Sequence, residues 1–407
     1  MKRLLILIPF LLHSANLKTI LNHTSESDLI KAKTMLIEAK EAEINSIKSS
    51  KLPTIDFGVF ANSSNPRQLI QPGVVYGASV KLKYAIYDGG LKSAKIRQKH
   101  FELAGAMFDK SFFAKSLNLQ IVKDYYNIKS LDALIKALLF KKKTIKEQIK
   151  KVKVLLNSGF ATKDNLYSLN AALLLTQDNI NSLKFKRESL IKLLQIKANY
   201  KFKTLGNSYF KKRALKFRPN DLIRAMQLKK RAILSSSKAI KSATKPHINL
   251  EASYSLYGYD RVDIMHPKGL DKQAKINLNA GIRLYDGGVS KEQIEAVKLK
   301  ALSLGLEIKQ KLLEQRVNFK LSKERLKVAK RHIKALKAEY IARKSLFNSV
   351  KKQFESGLVD YVSYLDALSL LINSKANLAK AKYELEIAYA IYYYNGGYDI
   401  RKFVVGD

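Results

Sequence analysis

The residues of this 407-residue chain whose type and spacing look most like chemistry are two aspartates followed by paired glycines, Asp88-Gly89-Gly90 and Asp286-Gly287-Gly288. Paired glycines can cradle a phosphate, but no GxxxxGK pattern follows either pair. Each pair stands where alternating residues give way to a helical pattern. Gly89, Gly90, Gly287 and Gly288 are therefore expected to form strand-to-helix turns. Asp88 and Asp286 are expected to be N-cap or turn residues rather than catalytic acids. The six histidines, His13, His23, His100, His247, His266 and His332, are dispersed, with no i, i+4 pair to hold a metal. Cysteine is absent, which excludes disulfides, thiolate metal sites and a lipid-anchored Cys near the amino terminus. No nucleophile–base arrangement is present. The chain is not expected to be an enzyme, and no cofactor or metal site is expected.

The elements around those turns are legible from periodicity. Ile55, Phe57 and Val59 alternate with Asp56 and Gly58, and Ile248, Leu250, Ala252, Tyr254 and Leu256 alternate with Asn249, Glu251, Ser253 and Ser255. Val80, Leu82, Tyr84 and Ile86 oppose Ser79, Lys81, Lys83 and Ala85. Ile276, Leu278, Ala280, Ile282 and Leu284 oppose Lys275, Asn277, Asn279, Gly281 and Arg283. This period-two pattern predicts four strands of about 9–12 residues, apolar on one side and polar or cationic on the other. It fits one face of a soluble sheet or the wall of a transmembrane barrel. In a barrel whose apolar faces meet lipid, Lys81, Lys83, Lys275 and Arg283 face the lumen. There they either form a cationic surface or pair with acids of neighbouring strands. Tyr84, Tyr87, Tyr254 and Tyr285 could lie at interface depth.

After each YDGG the period becomes helical. Gly90 to Gly159 and Gly288 to Gly357 each enclose 68 residues with a single Gly, Gly105 or Gly305. As one helix, such a segment spans roughly 100 Å. Leu326, Ala329, Ile333, Leu336, Tyr340, Phe347, Val350 and Phe354 keep heptad-like spacing, so the segment reads as coiled coil. A return helix follows, carrying Leu365, Leu368, Ile372, Ala376, Ala379, Tyr383 and Ile387.

The chain repeats itself. Asp28 and Asp221, and Pro53 and Pro246, lie 193 positions apart. The two YDGG motifs, and Ser158-Gly159 and Ser356-Gly357, lie 198 apart. The five extra residues fall in the Tyr259 to Asp271 stretch, read as a loop. The expected organisation is a signal peptide over 1–15, a first repeat over 27–200, a basic irregular linker over 201–219, a second repeat over 220–397 and a tail over 398–407. Each repeat reads helix, strand, strand, very long helix, helix, with Ser27 or Asn220 as the opening N-cap. Lys2 and Arg3 followed by the apolar run Leu4 to Leu12 form the secretory signal, with a processing site at Ser14-Ala15. That run is too short to span a bilayer as a helix, and no later segment offers 18 consecutive apolar residues. A membrane role must come from strands.

Net charge is +41, from 75 Lys and Arg against 34 Asp and Glu. The lysines are spread between apolar positions along nearly the whole length, as on solvated helix faces, so no nucleic-acid partner is expected.

Four strands cannot close a barrel, and open edges are prohibitive in a bilayer. Several chains must then share one, and three would supply twelve strands. In the order of its elements, its strand pairs leading into YDGG and its long helices ending at a Gly tip, the chain resembles the TolC-like outer-membrane efflux family. The resemblance covers both halves. It implies a mainly α fold with transmembrane β: a homotrimer whose shared twelve-stranded barrel, four strands per chain, continues into a long periplasmic α-helical barrel built from two structural repeats. It further implies an outer-membrane exit duct, extending into the periplasm, of a tripartite efflux or type I secretion system. The partners implied are a periplasmic adaptor, an inner-membrane transporter and outer-membrane lipid. The adaptor-contacting tips correspond to Gly159, Phe160, Ala161 and Thr162 and to Gly357, Leu358, Val359 and Asp360. An acidic ring at the periplasmic gate matches Asp366, with Ser363 at the companion position. Asp366 could equally be an ordinary exposed helix residue. Phe354 and Val359 stand where relatives can carry a Tyr and an Arg that latch the closed tips, so another contact must hold this gate. The alternative is an exported structural coiled coil without a pore.

Overall fold

The computed structural model describes residues 15–65, 73–159, 161–260 and 271–406. Its elements run α1 (Leu17–His23), α2 (Asp28–Ser49), β1 (Thr54–Ser63), β2 (Val74–Asp88), α3 (Leu91–Asn157), α4 (Lys163–Ala198), β3 (Ser208–Phe210), α5 (Asp221–Ser242), β4 (His247–Asp260), β5 (Lys272–Gly281), α6 (Val289–Glu355), α7 (Tyr361–Asn395) and β6 (Val404–Gly406). The order helix, strand, strand, long helix, helix occurs twice. α3 and α6 have 67 residues each, because nothing in either segment breaks a helix until a glycine at positive φ, Gly159 or Gly357, ends it. Among the described residues no helix is long and apolar enough to cross a membrane.

The chain divides into two compact units, residues 1–34, 110–221 and 311–407 in one and residues 35–109 and 222–310 in the other. The second holds a four-stranded antiparallel sheet in the order β1-β2-β4-β5. Its central pair joins strands from the two halves of the sequence. β5 stops at Gly281, opposite His247. The next residue of the partner is Pro246, which has no N–H to continue the ladder. Ile282 and Leu284, expected to prolong the strand, lie beyond it, as does Arg283.

The first unit is built on aromatic packing. Tyr125, Tyr126, Tyr389, Tyr392, Tyr393, Phe210 and Phe403 share one buried core with Leu17, Ile20 and Leu21 of α1. The segment read as an irregular linker is held in that core. Its β3 pairs with β6 of the tail, Phe210 opposite Val404. Leu215 N donates to Tyr392 Oη at 2.9 Å, and Arg213 N to Tyr393 Oη at 3.2 Å. Phe210 N donates to Glu386 at 2.7 Å, and burial pushes that carboxyl above its ordinary value despite the bond. Tyrosines suit this role because each ring fills apolar space while its hydroxyl satisfies a buried backbone group.

Candidate functional site

Register fixes which residues share a face of the sheet. One face carries the rows Ile55, Leu82, Ala252, Ile276 and Phe57, Val80, Tyr254, Ala274. Its apolar side chains are bare: Ile55 and Phe57 are each 71% exposed and Ile276 77%. The other face carries Asp56, Lys81, Ser253, Lys275 and Thr54, Lys83, Glu251, Asn277. Lys81, Lys83 and Lys275 are thus brought to one surface, and Arg283 is not among them. The surface is of mixed sign. Asp56 stands opposite Lys81 and forms an ion pair with Lys83 at 3.2 Å, and Glu251 stands opposite Lys83.

Two features of the sheet were hidden in the sequence. A bulge between Ala85 and Tyr87 sets Tyr87 opposite Ile248, so Tyr87 rather than Ile86 continues the apolar face beyond Tyr84. Tyr285 lies outside the strands and is 85% exposed. On the polar face, the parity of Asp56 and Ser253 continues to Phe60, Tyr257 and Tyr259. Phe60 meets Tyr257 edge-on with centroids 5.7 Å apart, and Tyr257 stacks on Tyr259 at 6.2 Å. Gly77 lies between Phe60 and Tyr257 in the register. A side chain there would run into the Leu256 carbonyl and come within 3.1 Å of the Phe60 ring. Carrying the alternation past Val59 and Leu256 would have exposed this aromatic trio.

The two strand-to-helix turns have the same construction. Asp88 accepts from Gly90 N at 2.9 Å and Lys92 N at 2.8 Å, and Asp286 from Gly288 N at 3.0 Å and Ser290 N at 2.9 Å. Gly89, Gly90, Gly287 and Gly288 all take positive φ, between 66° and 87°. These carboxylates cap helices, as expected of them. Hydrogen bonds from Ser290 and Gly288 hold Asp286 below the ordinary carboxylate value.

In the other unit, Gly159 and Gly357 end α3 and α6 at φ of 77° and 73°. Phe160 lies outside the described residues. Ala161 is half-buried and Thr162 exposed ahead of α4, Leu358 is 77% exposed, and Val359 is half-buried. Asp360 is the N-cap of α7 and accepts from Ser363 N at 2.9 Å. Hydrogen bonding from Ser363 holds its carboxyl below the ordinary value. Ser363, the companion gate position, thus belongs to this cap.

Phe354, at the latch position, packs inward. Its ring stacks on Tyr364 at 5.0 Å and meets Tyr361 edge-on at 6.0 Å, and Tyr364 also touches Phe347 at 5.7 Å. Tyr361 and Tyr364 are buried, and Gln148 Nε2 donates to Tyr364 Oη at 3.4 Å. Asp366 is exposed and lies within electrostatic reach of Lys141 on α3. Lys141 Nζ donates to Ser369 Oγ at 2.9 Å; burial lowers the pKa of this lysine while the Asp366 charge opposes the shift. Neither Lys141 nor Gln148 can be placed beside these residues from sequence, because only packing of α3 on α7 brings them there.

Comparison with known proteins gives one partial family match and a shared fold. Residues 213–391, less than half of the chain, match the family model of outer membrane efflux proteins. No curated protein matches the chain. Among solved structures, the CmeC outer membrane channel of Campylobacter jejuni is 16% identical with a TM-score of 0.79, over 94% of this chain and 86% of that one. The open state of the MtrE outer membrane channel of Neisseria gonorrhoeae is 14% identical with a TM-score of 0.77, over 94% and 89%. The outer membrane protein VceC of Vibrio cholerae is 11% identical with a TM-score of 0.75, over 94% and 96%. The fold is shared over nearly the entire chain.

Proposed function

We propose that this chain, TolC-like in sequence and in fold, is the outer-membrane exit duct of a tripartite efflux or type I secretion system, a passive conduit opened by its adaptor and inner-membrane transporter. One observation carries the reading. The four-stranded sheet bares an apolar face whose Ile55, Phe57 and Ile276 are each more than 70% exposed, and it ends in two edge strands, β1 and β5. Water does not stabilise such a face, and a bilayer does not tolerate such edges. Three copies joined edge to edge supply twelve strands, put the apolar face in outer-membrane lipid and turn the Lys81, Lys83 and Lys275 face inward.

The two repeats, 27–200 and 220–397, each give one strand pair to that barrel and one helical hairpin to the periplasmic tunnel. Gly159 to Thr162 and Gly357 to Asp360 are the tips that meet the adaptor. With Phe in place of the relatives' latching Tyr, the Phe354, Tyr361 and Tyr364 cluster holds the gate, and Asp366 supplies the acidic ring beside Lys141. The lumen end nearest Phe60, Tyr257 and Tyr259 is aromatic rather than cationic.

Fractionation and native mass determination of the detergent-extracted protein test the proposal. A trimer in the outer-membrane fraction supports it. A water-soluble monomer or dimer that needs no detergent overturns it and leaves an exported coiled coil without a pore.

A further inference from the structure

We propose that the export signal is cut on the amino-terminal side of Ala15, with Ser14 as the last residue removed, so that Ala15 is the first residue of the mature protein. Ser14-Ala15-Asn16 offers two bonds next to a small residue, and the reading of the signal as residues 1–15 puts the cut at the second, after Ala15. Cutting after Ala15 places the bulky imidazole of His13 at the third position before the bond. Cutting after Ser14 places Leu12 there.

The folded chain separates them. Ala15 is only 2% exposed. Its N–H donates to the Thr204 carbonyl at 2.9 Å, its carbonyl accepts from Gly206 N at 2.9 Å, and the two bonds form a parallel bridge to Leu205. Asn16 then caps α1, its Oδ1 accepting from Thr19 N at 2.8 Å, and Leu17 N donates to Ser208 Oγ at 3.0 Å. On its other side the same 204–208 segment is held by Tyr125, whose hydroxyl donates to the Gly206 carbonyl at 2.7 Å. Ala15 is thus a stitch between the amino terminus and the segment that leads into β3.

A cut after Ala15 would remove both bonds, to Thr204 and Gly206, and with them the bridge to Leu205. A cut after Ser14 costs neither bond. The new α-amino group of Ala15 still donates to Thr204, now as a charge-assisted hydrogen bond.

The test is the intact mass and amino-terminal sequence of the full chain, exported under its own signal and extracted in detergent. A mature chain that begins with Ala15 is expected. A start at Asn16 or later overturns the proposal, and so does a chain that keeps Met1, which would overturn export as well. Deletion of Ala15, with the mature start of the variant checked by mass, is expected to lower the Tm. Ala15→Gly, which keeps both backbone bonds, is expected to lower it less. An equal Tm for the deletion and the wild type would show that the bridge is dispensable and remove the physical basis of the proposal. Neither readout depends on pore formation.

Discussion

The Phe354 ring lies on that of Tyr364, centroids 5.0 Å apart and planes inclined by 30°, tying the end of α6 to the first turn of α7. Aromatic pairs of this geometry contribute about 0.5–1.5 kcal/mol beyond the area they bury. A double-mutant cycle of Phe354→Leu and Tyr364→Leu, followed by thermal unfolding, should return a coupling energy in that range. In planar bilayers Phe354→Ala should raise the conductance of the resting channel. A zero coupling energy with unchanged conductance would remove the cluster from the gate.

The Asp88 turn should respond to loss of its carboxylate. Asp88→Ala frees the amides of Gly90 and Lys92 at the start of α3 and is expected to cost about 1 kcal/mol. Asp88→Asn, which keeps an acceptor, should cost less. Thermal unfolding of the two variants side by side checks the order. Asp286→Ala should change stability in the same direction.

Stability at the second tip should depend on pH through Asp360. Its folded-state pKa lies below the ordinary carboxylate value because Ser363 hydrogen-bonds to it. The group therefore contributes fully above its unfolded pKa, and the contribution is lost as pH falls through the depressed folded value. The Tm difference between the wild type and Asp360→Ala should be constant near neutrality and shrink in acid. A difference that grows on acidification would give the shift the wrong sign.

The two sheet faces should tolerate charge unequally. Phe57→Arg puts a cation on the face assigned to lipid, at a cost of about 2–4 kcal/mol near the bilayer midplane. It should abolish the trimer in the outer-membrane fraction. Gly58→Ser, one residue along on the other face with open space around its Cα, should assemble normally. Equal assembly of both variants would be incompatible with a lipid-facing β1.

Ion preference should report the Asp366 and Lys141 pair. Asp366→Asn is expected to lower the cation-to-anion permeability ratio by about two- to fivefold, and Lys141→Met to raise it. Reversal potentials across a salt gradient measure both. Movement of the two variants in the same direction would mean that neither charge faces the conduction path.

Much of the architecture was legible because it rests on local rules. Period-two alternation marks Ile55 to Val59 and Lys275 to Gly281 as strands with one apolar side, and the two YDGG motifs encode turns that glycine alone enters readily. Sixty-seven residues without a break make a helix wherever they occur. The long-range relations were not legible in this way. A bulge at Ile86 moves Tyr87 to the apolar face, and Pro246 in the partner strand leaves Arg283 outside the ladder. Both depend on which strand lies alongside, and pairing is a property of two segments at once. The same holds for Lys141 beside Asp366, Gln148 on Tyr364 and Ala15 bridged to Leu205, whose partners are 190 to 225 residues away in the chain and adjacent only by packing. By itself the sequence determined the type and order of the elements, since these follow from backbone propensity and the periodicity of apolar residues. Only the tertiary structure decided which charges meet and which aromatic rings stack, because such contacts need side chains from distant segments to occupy one place.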